Sequence, residues 1–311
     1  MPELPEVETI TRGLAKRVTG DVVESVWLGQ KKETLKSPAT EIAAALEQSR
    51  IAAVRRMGKH IVFDLEQPNV ARALLLAKSR SRNGKKKIAA LSTQSSSTAP
   101  AAAGESTRPT PPKAQWIVHL GMTGSLRVCE PQTEVVKHTH AILRLSSGRE
   151  LRFVDPRRFG RLSIARNADF DAGGIEPLEI DLDRFTALFH GRKTPIKNAL
   201  LNQSLLRGVG NIYADESLFR AGIRPRRRAS AITRDQLGKL YVAVKDVLKE
   251  AIALGGSSIS DYVGADGEEG FFQLQHRVYG REGEPCLVCK TPVKRVVIAG
   301  RSSHYCPKCQ K

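Results

Sequence analysis

Four cysteines near the C-terminus constrain the fold of this chain more than any other feature. They form two pairs, Cys286-x2-Cys289 and Cys306-x2-Cys309, with sixteen residues between the pairs. This is the spacing of a zinc ribbon, in which four thiolates bind Zn²⁺ tetrahedrally. Two disulfides are the alternative, but a chain without a secretory signal is expected in a reducing cytosol. A four-cysteine site has no open coordination position, so we expect one structural zinc ion rather than a catalytic one.

The charge of the chain indicates a polyanionic partner. Its 311 residues include 50 Lys and Arg against 32 Asp and Glu, a formal net charge of +18 with a pI of about 10.0. Nucleic acid is the leading candidate, and a membrane surface is the weaker one. No apolar run reaches the ~18 residues of a membrane span, and the acidic N-terminus lacks the apolar segment of a secretory signal. The length favours two domains.

The N-terminal stretch Met1–Thr9 carries the strongest chemical signal. The small side chain at position 2 predicts removal of the initiator methionine, which would leave Pro2 with a free secondary amine. Such an amine attacks a masked aldehyde, its pKa near ~8 keeps a useful fraction neutral, and Glu3 can exchange a proton beside it. An ordinary helix start is the alternative, because Pro and acids favour the first turn and the apolar spacing predicts an amphipathic helix over 3–16.

Short β-like runs separated by turn signals follow this helix and predict a β-sandwich. They lie at Val22–Trp27, Ile51–Met57, His60–Leu65, Trp116–Leu120, Leu126–Val128, Thr139–Leu145 and Leu151–Phe153, and a short helix is expected at 41–48. We therefore assign 1–165 to an N-terminal helix and sandwich domain and 166–178 to a linker. Residues 78–113, rich in Ser, Thr, Ala, Pro and Lys, are expected to be a disordered or mobile basic insertion between two strands.

A helical pattern begins near residue 179, which makes the fold class α+β. Glycine and proline separate four candidate helices, which span Asp181–His190, Ile196–Leu205, Ile212–Ala221 and Arg234–Leu254. Residues 255–275 are rich in Gly, Ser and Asp and indicate a mobile loop. The helical domain is thus expected at 179–275 and the zinc ribbon at 276–311.

Two turns could bind phosphate. Gly208-Val209-Gly210-Asn211 directly precedes a helix, whose free N–H groups attract an anion, and Asn211 suits the N-cap position. An ordinary connection between helices is the alternative. Arg301 follows Gly300 between the cysteine pairs, at the expected tip of the ribbon hairpin, where it could enter a groove or simply favour solubility.

Three further segments could contact nucleic acid. The turn Asp155–Gly160 carries two guanidinium groups and an aromatic ring, which can bind phosphate and wedge between bases. A solvated turn with a buried Phe is locally favoured. Met122 lies between two glycines on a tight loop, where a core methionine is the default. Lys59 lies on another strand turn, where a solvated side chain is the default.

Taken together, these segments resemble the bacterial formamidopyrimidine-DNA glycosylase family. Any one matching segment is a weak signal, but all of them together are highly specific, because they occur in order along nearly the whole chain. The matching segments are Met1–Thr9, Lys59-His60, His119–Gly124, Asp155–Gly160, Lys193–Lys197, Gly208–Ala214 and Tyr279–Cys309. The resemblance implies a β-sandwich domain, a helix–two-turn–helix domain, a zinc finger, and DNA bound between the domains.

The resemblance also implies catalytic roles. The family's nucleophile falls on Pro2, and its carboxylate partner, which assists opening of the sugar ring, falls on Glu3. Lys59 matches a lysine that contacts phosphate near the lesion and supports catalysis. Asn211 and Arg301 match the pair that grips backbone phosphates around the lesion, and we count Arg301 with the catalytic set.

The other matching positions are expected to contact DNA. Three of them would fill the gap left by an everted base: Met122, Arg157 and Phe159. Three more residues are expected to contact the DNA, with no more specific role: Arg158, His138 and, in the linking helical region, Lys197.

The implied activity is bifunctional. The damaged nucleotide leaves the stack, because its C1′ is otherwise out of reach. Pro2 then displaces the base, and β- and δ-elimination remove the sugar. We therefore expect base excision repair of 8-oxoguanine and formamidopyrimidines in damaged double-stranded DNA, with no nucleotide cofactor and no membrane partner. A monomer in the bacterial cytoplasm, used at the nucleoid, is expected.

Three alternatives are open. An endonuclease VIII-type activity on oxidised pyrimidines is disfavoured by the continuation Leu4–Thr9 and by the turn Arg157–Phe159. A DNA-binding module without catalysis is disfavoured by the presence of Pro2, Glu3 and Lys59. A zinc-ribbon transcription or translation factor would explain only the last thirty residues.

Two segments depart from the family pattern. The insertion 78–113 is longer than we expect at this strand connection. The loop that covers the everted base in relatives carries two acids at its tip here, Glu268 and Glu269.

Deletion of residues 78–113 should leave glycosylase activity intact. The insertion has almost no large apolar side chains, and its eight basic residues against one acid supply only +7 of the +18 net charge. The excision rate and zinc content of the deletion variant, measured beside the full-length chain, check this expectation. A loss of either would contradict it.

Overall fold

The computed structural model describes residues 1–29, 33–67, 114–166, 170–257 and 270–311. The expected insertion 78–113 and the loop-tip residues Glu268 and Glu269 lie outside this part of the chain. Within the described ranges, no helix combines the length and the apolar character needed to cross a membrane.

Helix α1 (Leu4–Val18) confirms the helix expected at the N-terminus. Its apolar residues recur at helical spacing, so they line one face. Leu4 packs into the core of the helical domain, whereas Val7 and Leu14 pack into the core of the sandwich. Helix α1 therefore joins the two domains through a single rigid element.

Among the described residues, eight antiparallel strands form the expected sandwich. One sheet has the order β1-β6-β7-β5 and the other β2-β3-β4-β8. The strands are β1 (Val23–Leu28), β2 (Arg50–Met57), β3 (His60–Glu66), β4 (Ala114–His119), β5 (Ser125–Cys129), β6 (Thr139–Leu145), β7 (Glu150–Val154) and β8 (Arg161–Arg166), and helix α2 (Ala39–Leu46) lies between β1 and β2.

The two sheets enclose an apolar core that includes aromatic rings. Phe63 and Trp116 face each other on β3 and β4, with ring centroids 4.8 Å apart. Strand β7 is buried at every position, and its one cation, Arg152, lies 2.7 Å from the Glu150 carboxylate. Pairing is required there, because an isolated buried charge is strongly unfavourable.

The described part of the second domain contains four α-helices: α3 (Leu182–Phe189), α4 (Ile196–Leu201), α5 (Asn211–Arg220) and α6 (Arg234–Ala253). All four were expected, but the expectation that α4 continues to Leu205 is wrong. The helix ends at Leu201, because residues after it turn and Leu206 forms a parallel bridge with Ile175. Tertiary pairing of this short segment overrides its helical spacing.

The C-terminal hairpin β9 (Lys294–Ile298) and β10 (Arg301–Tyr305) forms the zinc-ribbon unit. Its core is small and includes Val278, Val293 and two of the cysteines, packed against Phe219 of α5. Such a core is too small to stabilise a fold without cross-links or a metal. The chain end is also anchored to the helical domain, since the Lys311 N–H donates to the Gly222 carbonyl at 2.9 Å.

A buried ion network joins the sandwich to the helical domain. The Arg56 side chain is 8% exposed and lies 2.7 Å from the Glu176 carboxylate, which also accepts from Arg207 at 3.2 Å. Arg56 donates as well to the backbone oxygen of Gly58 at 3.2 Å. The network therefore holds the β2–β3 turn, and with it Lys59, against the second domain.

Candidate active site at the junction of the two domains

Glu3 lies at the centre of the candidate active site. It is 4% exposed, and its Oε1 accepts the backbone N–H of Ile212 at 3.2 Å, in the first turn of α5. Pro2 is also buried. Gly210 permits this approach, because a Cβ at that position would lie 2.1 Å from Glu3 Cδ. The N-terminal end of α5, which carries a partial positive charge, thus faces the carboxyl group of Glu3, the N-cap residue of α1.

This contact corrects the expectation that Asn211 is the N-cap of α5. Gly210 is the N-cap and Asn211 is the first helical residue, because Glu3 occupies the acceptor position that an N-cap side chain would take. The Asn211 side chain instead lies near Tyr279, where it opposes the rise that burial causes in the pKa of Tyr279. Sequence reasoning missed Tyr279, since nothing local connects it to Asn211.

Electrostatics tune the two titratable groups next to Pro2. Burial raises the pKa of Glu3 to about 7, and the Lys59 ammonium opposes this shift. Burial lowers the pKa of Lys59, with Glu3 opposing and Arg301 adding to the decrease. Lys59 is only 8% exposed, so the expectation of a solvated Lys59 side chain is wrong. A carboxyl group with a pKa near 7 can give and take a proton at physiological pH.

Glu6 is a second buried carboxyl group in the site, and sequence reasoning missed it. Its Oε2 accepts the Glu3 backbone N–H at 2.7 Å, while Oε1 accepts the Ser257 N–H at 2.8 Å and the Tyr213 hydroxyl. Burial raises its pKa. The spacing of Glu6 from Glu3, typical of a capping box, was the signal available. Its other partners come from distant parts of the chain.

Met122 and Phe159 lie on the surface, each on its own loop. Met122 is 41% exposed and Phe159 is 46% exposed. The local sequence favoured burial of both side chains, and that expectation is wrong. The Arg157 guanidinium lies 5.1 Å from the centroid of the Phe159 ring. A cation stacked on an exposed ring beside an exposed methionine is a surface suited to stacking with bases.

Asp155 holds these two loops together. Its carboxylate accepts the Thr123 hydroxyl at 2.6 Å and the Gly160 N–H at 2.7 Å. The Asp155 N–H donates to the backbone oxygen of His138 at 3.0 Å, which brings His138 to the base of the same turn. Arg158 has a φ of 58°, a left-handed conformation that reverses the chain here. The structure thus gathers these sequence-predicted residues at one edge of the sandwich.

Lys197 lies inside the protein, and not on the surface where a DNA contact was expected. Its Nζ lies 2.7 Å from the Asp215 carboxylate, with side chains 1% and 0% exposed, and donates to the Ser302 backbone oxygen at 2.6 Å. Asp215 also accepts the His304 N–H at 2.8 Å. These contacts clamp β10 directly after Arg301, which is exposed at the start of that strand.

The four C-terminal cysteines meet at one point. All five cysteines of the chain are free thiols, so the disulfide alternative is wrong. The Sγ atoms of Cys286, Cys289, Cys306 and Cys309 all lie within 4.8 Å of one another. Zn–S bonds of about 2.3 Å in a tetrahedron place sulfurs roughly 3.8 Å apart. The donor set fits one structural Zn²⁺, which would fix the hairpin that carries Arg301.

The fold and the site define a class of protein. An N-terminal helix and sandwich, a helix–two-turn–helix domain and a zinc finger surround a buried Pro2 and the buried Glu3 carboxyl group, which is the arrangement of a DNA glycosylase of base excision repair. Family models agree over most of the chain. They describe the formamidopyrimidine-DNA glycosylase N-terminal domain at 1–162, its H2TH domain at 174–263, and a zinc finger found in FPG and IleRS at 283–311.

Known proteins resemble the chain over its full length. The formamidopyrimidine-DNA glycosylase of Solibacter usitatus is 41% identical over 314 residues, 100% of both chains. The crystal structure of MutM (Fpg) from Thermus thermophilus is 38% identical with a TM-score of 0.77, covering 99% of this chain and 98% of that one. A Lactococcus lactis Fpg variant in complex with Fapy-dG containing DNA is 26% identical with a TM-score of 0.80, covering 100% of both. The chain belongs to the formamidopyrimidine-DNA glycosylase family.

Glu3→Gln should stabilise the protein, and more so at alkaline pH. The raised pKa of Glu3 means that folding is penalised once the unfolded carboxyl ionises above pH 4.5, fully so above about pH 7. The penalty approaches about 3 kcal/mol at pH 8.5 and falls to about 1 kcal/mol at pH 5.5. Gln keeps the acceptor for Ile212 and removes this penalty. Thermal unfolding at both pH values measures it.

The exposed Glu24→Gln provides the control for that comparison and should change stability little at either pH. An equal effect of Glu3→Gln at pH 5.5 and 8.5 would show that ionisation of Glu3 is not the cause.

Lys197→Met and Asp215→Leu should each destabilise the protein by about 3–5 kcal/mol, because each leaves a buried charge without its partner. The double variant should lose clearly less than the sum of the single losses. Chemical denaturation of the four proteins measures the coupling. Removing the exposed pair Lys239 and Asp235 of α6, 2.9 Å apart, serves as the control, with an expected effect below about 1 kcal/mol. Additive losses at the buried pair would contradict the assignment.

Proposed function

We propose that this chain is a bifunctional DNA glycosylase and abasic-site lyase that excises oxidised purines from damaged double-stranded DNA. The observation that carries the proposal is the burial of Pro2 beside Glu3, a carboxyl group with a pKa of about 7. The named relatives are formamidopyrimidine-DNA glycosylases, and the Fapy-dG complex of one of them supports a formamidopyrimidine lesion as substrate.

Base loss begins with the Pro2 amine, once Met1 is removed. The everted nucleotide presents C1′ to the Pro2 nitrogen, which forms a bond to it as the bond between C1′ and the base breaks. The departing base takes the electron pair of that bond, together with the proton that the Pro2 nitrogen loses. The protonated form of Glu3 donates its proton to O4′ of the sugar, the ring opens, and an iminium joins Pro2 to C1′.

Strand cleavage follows from this iminium. The cationic nitrogen withdraws electrons and acidifies the protons at C2′, so loss of one of them expels the 3′ phosphate. A second elimination expels the 5′ phosphate, and water then releases the sugar fragment from Pro2. The iminium itself accepts the electrons at each step, so the chemistry requires no nicotinamide or flavin.

Basic and aromatic side chains around the site hold the distorted DNA. Lys59 and Arg301 are within electrostatic reach of each other, and with Asn211 they supply donors for the phosphates around the lesion. Met122, Phe159 and the stacked Arg157 guanidinium fill the gap left by the everted base. The net charge of +18 attracts the duplex non-specifically, with a strong dependence on salt.

The groups that the proposed reaction uses, Pro2, Glu3 and Lys59, are all supplied by this one chain. We therefore propose that the protein acts as a monomer, in the bacterial cytoplasm and at the nucleoid. Sedimentation with and without a lesion duplex measures the oligomeric state.

Borohydride trapping tests the proposed reaction. The wild type should form a covalent adduct with a duplex containing 8-oxoguanine opposite cytosine, because borohydride reduces the iminium to a stable amine. Peptide mapping should place the adduct on Pro2 of a chain lacking Met1. Pro2→Gly should form the adduct at least about tenfold more slowly, since the primary amine lacks the constraint of the ring.

A thymine-glycol duplex, run in parallel, separates this proposal from an activity on oxidised pyrimidines. Preferential trapping on thymine glycol, an adduct on a lysine, or tight binding without any adduct by a chain with a processed N-terminus would each overturn the proposal.

A further inference from the structure

His276 is a buried histidine for which the proposed chemistry has no use. It lies in the segment that leads from the helical domain to the finger and is 9% exposed. Its ring packs edge-on against Phe272 at 5.5 Å and against Tyr279 at 5.6 Å between centroids. Its Nε2 lies 3.3 Å from the Ser257 hydroxyl oxygen. A polar ring placed among aromatic rings needs its hydrogen bonds to offset burial.

The protonation state of His276 determines how many hydrogen bonds its ring can donate and accept. Burial lowers the pKa of His276 to about 4, and a hydrogen bond to the Tyr279 backbone opposes the shift. The imidazole is therefore neutral at physiological pH, with one donor and one acceptor. Nε2 is the ring nitrogen that lies within hydrogen-bond distance of the Ser257 hydroxyl.

The Ser257 side of this contact leads to the catalytic helix. The Ser257 N–H donates to Glu6 Oε1 at 2.8 Å, and the other oxygen of Glu6 accepts the Glu3 N–H at 2.7 Å. Gly256 packs against the same carboxyl group, because a Cβ there would lie 2.9 Å from Glu6 Oε1. The position of Ser257 is thus transmitted through one side chain to the backbone of Glu3.

The Tyr279 side leads to the phosphate-binding residues. The Asn211 side chain lies close enough to the Tyr279 hydroxyl to oppose the rise that burial causes in the pKa of Tyr279, and the Tyr279 backbone N–H donates to the Glu216 carboxylate at 2.9 Å. Its ring also packs edge-on against His304 of β10, with centroids 5.2 Å apart. His276 therefore contacts Ser257 through a hydrogen bond and Tyr279 through edge-on ring packing.

We propose that His276 is a positioning residue of the glycosylase, which sets the carboxyl pair of Glu3 and Glu6 at a fixed distance from Asn211 and Tyr279. It does so by forming a hydrogen bond with Ser257 while its ring packs edge-on against Tyr279. The residues that bind the phosphates position the sugar, and Pro2 and the carboxyl pair act on that sugar. If the His276 contacts are lost, the reacting atoms are therefore misaligned. Misplacement by about 1 Å can cost up to about 100-fold in rate. This inference rests on the proposed function.

The test compares His276→Leu, His276→Gln, Ser257→Ala and the double variant Ser257→Ala/His276→Leu. Single-turnover excision is measured on an 8-oxoguanine duplex, and the dissociation constant is measured on a duplex with a tetrahydrofuran abasic analogue. His276→Leu should lower the excision rate about tenfold and change the dissociation constant less than about twofold, because alignment is lost and binding is retained. Ser257→Ala should lower the rate similarly, and the double variant should be no slower than the slower single variant.

Rescue and a matched control separate positioning from a general loss of structure. His276→Gln keeps donor and acceptor groups and should recover the rate to within about threefold of wild type. Ser217→Ala removes a buried hydroxyl of α5 that has no partner among the described atoms and should leave the rate unchanged. Zinc content and thermal unfolding of each variant verify that it is folded.

The outcomes are distinguishable from failure of the proposed function. If the wild type forms no borohydride adduct on Pro2, the glycosylase proposal fails whatever His276 does. If the wild type is active and His276→Leu matches it, or the two single losses multiply in the double variant, the assignment of His276 is overturned. A rate loss in His276→Leu that follows lost zinc and that Gln does not rescue would also overturn it.

Discussion

Burial of the Glu3 carboxyl group against the first turn of α5 is the interaction on which the rest of the site depends. It brings the N-terminus of the sandwich domain to the N-terminal end of a helix in the other domain. The glycines of the 208–210 turn make the approach possible, since a Cβ at Gly208 would lie 2.7 Å from Leu4 and one at Gly210 would overlap Glu3. The same burial raises the pKa of Glu3 to about 7. A carboxyl group suited to proton transfer is therefore a source of instability at neutral pH, as is common at active sites.

The charges of this protein fall into two groups with different physical roles. Buried ion pairs, such as Arg56 with Glu176 and Lys197 with Asp215, connect elements that are distant in the chain. They act as directional connectors, since loss of one partner leaves an unpaired charge in a poorly solvated place. Exposed cations such as Arg157 and Arg301 have no such constraint and are available for phosphate. Net charge alone does not distinguish the two groups, because a lysine clamped inside the protein counts the same as one on its surface.

Sequence reasoning selected several residues that the structure brings together, but it did not predict their surroundings. Pro2, Glu3 and Lys59 were singled out, and the structure brings them together. Asn211 was placed at the wrong helix position, because a carboxyl group from another domain supplies the cap. Glu6 and Tyr279 were missed, since their partners lie far away in the chain and leave no local pattern. The burial of Lys197 could not be predicted either, because the local sequence of a short amphipathic helix is the same whether its lysine is exposed to solvent or paired with Asp215.

The amino-acid sequence by itself determined the parts whose physics is local. Cysteine spacing specifies a tetrahedral thiolate site, apolar periodicity specifies α1 and the strands, and the residue types at positions 2 and 3 specify amine and carboxyl chemistry. Only the tertiary structure decided which of these groups are buried and next to one another. Burial sets the pKa of Glu3, exposure leaves Met122 and Phe159 available to DNA, and long-range contacts place His276 between Ser257 and Tyr279. These properties depend on desolvation and on distances across domains, which no local pattern of residues encodes.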